Sequence, residues 1–142
     1  MQVEALRRMG HEVQLLSETT PSGSQSLAYK LKSWFRVATG FGNHPLNKIA
    51  KFNPDIIHVH NLFPNFSTSW MKKAKQPIVV SIHNYRPICA AGTLFRDGKT
   101  CFDCVDAGSS APSIRHSCYK GSKIATIPLA ISNRKLSMDS AL

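Results

Sequence analysis

The sequence predicts an α/β fold in which helices cover a parallel β-sheet. Two short apolar runs, "PDIIHVH" and "PIVVSIH", have strand length and are rich in β-branched residues. Both are apolar enough to be covered on two faces, as strands of a parallel sheet are. Segments with helical spacing precede the first run and separate it from the second, which is the alternation expected of β-α-β units.

Taken in order, "VEALRRMG" places Val3, Leu6 and Met9 at helical spacing, with Gly10 where a C-terminal cap belongs. "HEVQLL" reads as a strand over 12–16, and "SETTPSGSQS" as a loop dense in turn formers. Leu27, Leu31, Trp34, Phe35 and Ala38 predict an amphipathic helix fringed by Lys30, Lys32 and Arg36. Pro45 suits the first turn of a further helix, "PLNKIAKF", because its missing N–H has no partner to lose there. Asn53-Pro54 is a turn, and the first apolar strand follows over 56–60. "NLFPN" is then a loop, "FSTSWMKKAK" a helix, and 77–83 the second strand. Beyond His83 the periodicity gives way to a long segment punctuated by cysteines. "SKIATIPLAI" resumes a helix that Pro128 is expected to kink or end, and "SNRKLSMDSAL" reads as a frayed tail.

Lysine and arginine outnumber the acidic residues 18 to 8, for a formal charge of +10. Such an excess favours an anionic partner: a phosphorylated ligand, nucleic acid or an acidic membrane face. A solvated basic surface is the plainer reading. Nucleic acid is disfavoured, because aromatic residues do not interleave with lysine and arginine on one strand face as stacking platforms require. No apolar run is long enough to span a bilayer. The start, "MQVEALRRMGHEV", lacks the apolar core and cleavage site of a secretory signal, so the cytoplasm is the expected location.

Ligands of an open parallel sheet bind beyond the carboxyl ends of its strands. His60 and His83 each close an apolar run, so both are expected at one cleft. His58 alternates with Ile57 and Val59 inside the strand and reads as a hydrogen-bonded core histidine. An imidazole at position 83 can donate a hydrogen bond to a substrate oxygen, act as acid or base, or hold a phosphate as imidazolium. Arg86, three residues on, makes the same mouth more welcoming to anions. Gly-rich phosphate loops, paired carboxylates and a Ser-His-Asp set are all missing from the sequence.

Cys89, Cys101, Cys104 and Cys118 give the pattern C-x11-C-x2-C-x13-C. One C-x2-C hook bites a tetrahedral ion well, so a structural metal site leads the readings, with His116 as a substitute ligand. Disulfide pairing, free thiols and a redox dithiol at Cys101 and Cys104 are the alternatives. In the cytoplasm, disulfides are the weaker of these.

Read together, "LRRMGHEVQLL", "NPDIIHVHN", "PIVVSIHNYRPIC" and "GTLFRDGKTCFDC" resemble the N-terminal half of a family 4 glycosyltransferase of the GT-B fold. The resemblance extends to a branch that carries a cysteine-bearing insertion after the strand-end histidine, and it covers about residues 3–125. It implies a Rossmann-like domain over 1–128, with the insertion over 84–120 and a tail over 129–142. The strand and Gly-rich loop that open such domains have no counterpart here, so the sheet is expected to be incomplete.

The resemblance further implies retaining transfer of a sugar from a nucleotide-sugar donor to a glycan, lipid-linked or other acceptor. The acceptor would sit mainly on this half, and a C-terminal domain not found in these residues would hold the donor. The chain alone is therefore expected to be inactive. The alternatives are a non-catalytic subunit needing a partner chain and a basic, cysteine-stapled nucleic-acid module. His83 matches the family histidine beside the donor sugar and reaction centre. His60 and Asn61 match the loop lining the same cleft, and Asn84 and Arg86 join them as substrate contacts. Transfer in this family needs no cofactor, so zinc at the cysteines would be structural. Domains of this kind touch the anionic inner membrane face through basic and apolar surface, and the helix with Trp34, Phe35 and Arg36 is the candidate here.

Overall fold

In the computed structural model, residues 2–20 and 25–138 are described. Residues 21–24 of the predicted loop and 139–142 of the predicted tail lie outside them. The elements run α1 (Gln2–Arg8), α2 (Leu27–Thr39), α3 (Leu46–Phe52), β1 (Ile57–His60), a 3-10 turn (Ser69–Lys73) and β2 (Ile78–Ser81). A short hairpin, β3 (Phe95–Arg96) and β4 (Lys99–Thr100), then leads to α4 (Asp103–Asp106), α5 (Ala111–Arg115) and α6 (Lys123–Met138). β1 and β2 pair in parallel, with Ile57 opposite Ile78 and His60 opposite Ser81. This is the expected α/β class: a small parallel sheet with flanking helices, an incomplete Rossmann-like unit. No helix among the described residues is long and apolar enough to cross a membrane.

The predicted helices form where their boundary residues allow. The Ser26 hydroxyl accepts from the Tyr29 N–H to open α2, and the Gly40 N–H returns to the Arg36 carbonyl to close it. Pro45 stands just ahead of α3, and Asn53 closes that helix with its N–H on the Ile49 carbonyl. Gly10 ends α1 with its N–H on Arg7.

Side chains alternate across a strand, so Ile57 and Val59 turn one way while His58 and His60 turn the other. The apolar side is closed by Ile49 from α3 and Trp70 from the 3-10 turn, which form the core with Val59. Ile57, Ile78, Leu46, Met71 and Ala74 pack around that centre. On the other side His58, His60 and Val79 are exposed. The expectation of strands covered on both faces therefore holds on one face and only in part, since Val80, on the side of Val59, is also exposed; the amphipathic α2 packs against α6 rather than on the sheet.

Two predicted elements differ. Residues 12–16 join no strand among the described residues, since an extended segment becomes a strand only where a neighbour accepts its ladder. Leu16 still packs against the core. The helix expected from "FSTSWMKKAK" contracts to a single 3-10 turn. The N–H groups of Ser67, Thr68 and Ser69 go to the carbonyls of Asn43 and Gly40, which ties the segment ahead of the turn to the loop after α2.

Pro128 neither ends nor replaces α6, which continues to Met138 through most of the expected tail. Proline at that position removes the N–H that would reach the carbonyl four residues back, Ile124. The indole Nε1 of Trp34 donates to that same carbonyl at 3.1 Å. Trp34 on α2 thus supplies the donor that Pro128 withholds, and it locks the two helices together. Trp34→Phe keeps the ring and deletes the donor. It should lower stability by about 1 kcal/mol in urea unfolding, the usual net worth of one such bond, and a change indistinguishable from zero would mean that water serves the Ile124 carbonyl equally well.

Candidate functional site

The parallel register brings three histidines to one end of the sheet. His60 Nδ1 lies 2.8 Å from His83 Nε2, and their rings stack with centroids 5.1 Å apart. The His58 ring sits 4.3 Å from that of His60, and its Nε2 is 2.8 Å from the Ser81 hydroxyl. Gln2 of α1 reaches His58 Nδ1 at 3.2 Å. The geometry follows from spacing: His58 and His60 share a face because they are two residues apart, and His60 pairs with Ser81, two residues before His83. His58 is hydrogen-bonded as expected, but it is exposed on the open face instead of buried in a core. Its parity with His60 decides that.

Partial desolvation, and then the neighbouring His58 and His83 rings, hold His60 below the ordinary histidine pKa of 6.5. A lowered histidine pKa in the folded state means that the unfolded chain takes up protons first as pH falls through about 6.5. Stability present above that pH is therefore lost on acidification. The melting temperature of the wild type should fall more steeply between about pH 7.5 and about pH 5.5 than that of His60→Asn. The difference is small because the ring is exposed, and parallel slopes would rule out the shift.

The other sequence-predicted residues divide. Asn61 is exposed immediately after His60 with a positive φ of 26°. Asn84 accepts the Arg86 N–H on its side-chain oxygen at 2.9 Å and so shapes the turn after β2. Arg86 turns into the loop. Its Nη1 donates to the Ala90 carbonyl at 2.6 Å, and its guanidinium lies 4.6 Å from the Phe63 ring centroid and 5.3 Å from that of Tyr119. Those two rings meet edge to face at 5.9 Å. Arg86 thereby clamps the loop after β1 to the far end of the cysteine segment.

That segment folds around a cavity of about 230 Å³, whose lining includes Cys89, Cys101, Cys104, Cys118 and His116. It is built on a hairpin that the sequence reading missed, although "RDGK" carries its signal. Asp97 and Gly98 have φ of 53° and 79°, as a type I′ turn requires of both central residues, and Asp-Gly is a favoured pair there. The Cys101 N–H extends the hairpin by reaching the Leu94 carbonyl. Arg96 pairs with Asp103 at 2.7 Å, holding that carboxyl below its usual range. All four cysteines are unbridged and partly buried. Burial pushes the Cys104 and Cys118 thiols up. As the side chains stand, no three Cys, His, Asp or Glu groups among the described residues converge closely enough to hold an ion.

A family model described as Glycosyltransferase Family 4 matches residues 2–99. The match takes in α1 to β2, both strand-end histidines and Cys89, and it stops short of Cys101. Neither a curated protein nor a solved structure matches the chain.

Proposed function

The chain belongs to glycosyltransferase family 4, and from that premise we propose that it is the acceptor-side half of a retaining glycosyltransferase with His83 at the reaction centre. The donor is a nucleotide sugar, and a glycan or lipid-linked acceptor occupies the open ends of β1 and β2. The observation that supports this reading most directly is the His60–His83 contact at the carboxyl ends of two parallel strands, where such sheets meet their ligands. His83 serves the reacting sugar. His60 positions His83 through their shared hydrogen bond, and Asn61 borders the acceptor. Arg86 and Asn84 belong to the loop scaffold, which leaves the donor diphosphate to a second Rossmann-like unit on the same polypeptide or a partner chain. Transfer of this kind requires no metal. The exposed Leu27, Leu31 and Phe35 of α2, flanked by Lys30 and Lys32, are the surface for an anionic membrane carrying a lipid-linked acceptor.

The test is a transfer assay with a panel of nucleoside-diphosphate sugars and labelled acceptors. The 142-residue chain by itself should give no turnover, and addition of the donor-binding unit should give transfer with retention at the anomeric carbon. Robust turnover by the chain alone would overturn the half-site reading. Inverted product would overturn the retaining mechanism. Steeply salt-dependent binding to single-stranded RNA, without transfer under any combination, would favour a nucleic-acid module instead.

A further inference from the structure

The four cysteines are widely spread in sequence, and the fold gathers them onto the wall of one cavity. Cys89 arrives from the turn after β2, Cys101 from the end of β4, Cys104 from α4 and Cys118 from the turn after α5. We propose that Cys89, Cys101, Cys104 and Cys118 bind one zinc ion as a tetrathiolate, and that this ion fixes the loop beyond the strand-end histidines.

The chemistry around the sulfurs fits that assignment. Four thiolates and one divalent cation carry a net charge of about −2, and a site of that charge needs donors aimed at sulfur. One is at hand: Arg96 lines the same cavity as the four cysteines and brings a cationic donor to it. Arg96 is itself oriented by Asp103 at 2.7 Å. Backbone hydrogen bonds brace the positions that carry the thiols. The Cys89 N–H reaches Tyr85, the Cys101 N–H reaches Leu94, the Cys118 N–H reaches Ser113, and the Cys104 carbonyl accepts from Ser109. The sulfurs stand around the cavity wall, and each hangs on one Cα–Cβ bond. The side chains as they stand do not converge on one point, so binding an ion takes inward rotation of the sulfurs about those bonds. Binding releases one proton per thiol, so uptake of zinc strengthens as pH rises.

A disulfide framework is the competing use of the same residues. Sulfur-only donors in a tetrahedral set select zinc or an iron–sulfur centre, and the experiment separates these from disulfides.

Protein purified without chelator from zinc-supplemented cells should carry one zinc per chain by elemental analysis and native mass spectrometry. Replacement by cobalt(II) should give the intense thiolate-to-metal absorption and the visible bands of a tetrahedral site. Cys101→Ser and Cys118→Ser should each weaken zinc binding at least about tenfold, while His116→Ala keeps one equivalent. The cobalt spectrum is read on the wild type, so a variant that fails to fold leaves the result intact. Four titratable thiols with no metal, an intact mass that reports disulfides, or iron in place of zinc would each overturn the proposal. Loss of zinc in His116→Ala with retention in one Cys→Ser variant would overturn the four-thiolate set.

Discussion

Trp70→Ala should lower the thermal midpoint by about 10 °C, the largest stability loss expected of a side chain among the described residues. Trp70 is 2% exposed and touches Ile49 and Val59 at the centre of the core. Three of the other buried apolar residues, Ala38, Ala90 and Ala130, contribute little area. A large share of the apolar surface removed from water therefore rests on one indole. Truncating a buried tryptophan to alanine costs about 3–5 kcal/mol, part transfer and part cavity, against a total stability of about 5–15 kcal/mol. For a chain of this size, about 1 kcal/mol moves the midpoint by about 2–4 °C. Circular dichroism melts on the variant and on Trp70→Phe, which refills most of the volume, measure the effect. A shift below about 3 °C for the alanine variant would mean that the indole does not sit under β1. The same substitution undermines the site, because Val59 rests on Trp70 while its neighbours in sequence, His58 and His60, face the other way.

That coupling between one face and the other explains what could be read from sequence. A period of two in "IIHVH" fixes which residues share a face once the run is a strand, and the alternation with helical segments makes the pair parallel. The strand-end position of His60 follows with no further information, whereas β2 stops at Ser81, short of the end that the apolar run predicts, and leaves His83 two residues beyond it. Their mutual hydrogen bond does not follow, because it depends on a register that sequence spacing leaves open. Residues 12–16 have the composition of a strand and lack only a ladder partner, which is a property of the surroundings. Trp34 reads as part of an exposed apolar stripe until α6 presents the Ile124 carbonyl freed by Pro128. Arg86 reads as an anion contact until Phe63 and Tyr119, distant in sequence, close on its guanidinium. In both cases a long side chain is claimed by a tertiary partner that local patterns do not reveal. The Asp97-Gly98 hairpin is the opposite case: its signal is local, an Asp-Gly pair with both residues at positive φ.

His83→Ala should reduce kcat by about 10²-fold or more in the protein assembled with its donor-binding unit, the scale on which a positioned acid, base or hydrogen-bond donor contributes. The ring is exposed two residues past the end of β2, so its removal should leave the thermal midpoint close to that of the wild type and separate chemistry from folding. His60 supports it in a definite way. Two imidazoles joined Nδ1 to Nε2 at 2.8 Å hold one shared hydrogen between them, and the lowered pKa of His60 favours its neutral form, which can take either side of that bond. That bond holds the His83 ring against the ring of His60. His60→Phe keeps the stacking and deletes the hydrogen-bonding partner. It should lower kcat by about tenfold and leave the acceptor KM nearly unchanged, as expected of a residue that positions another. Equal kcat for wild type and His83→Ala would remove residue 83 from the reaction centre. A rise in KM at constant kcat for both variants would instead assign the histidine pair to acceptor binding, since groups that hold ground state and transition state alike change affinity without changing turnover.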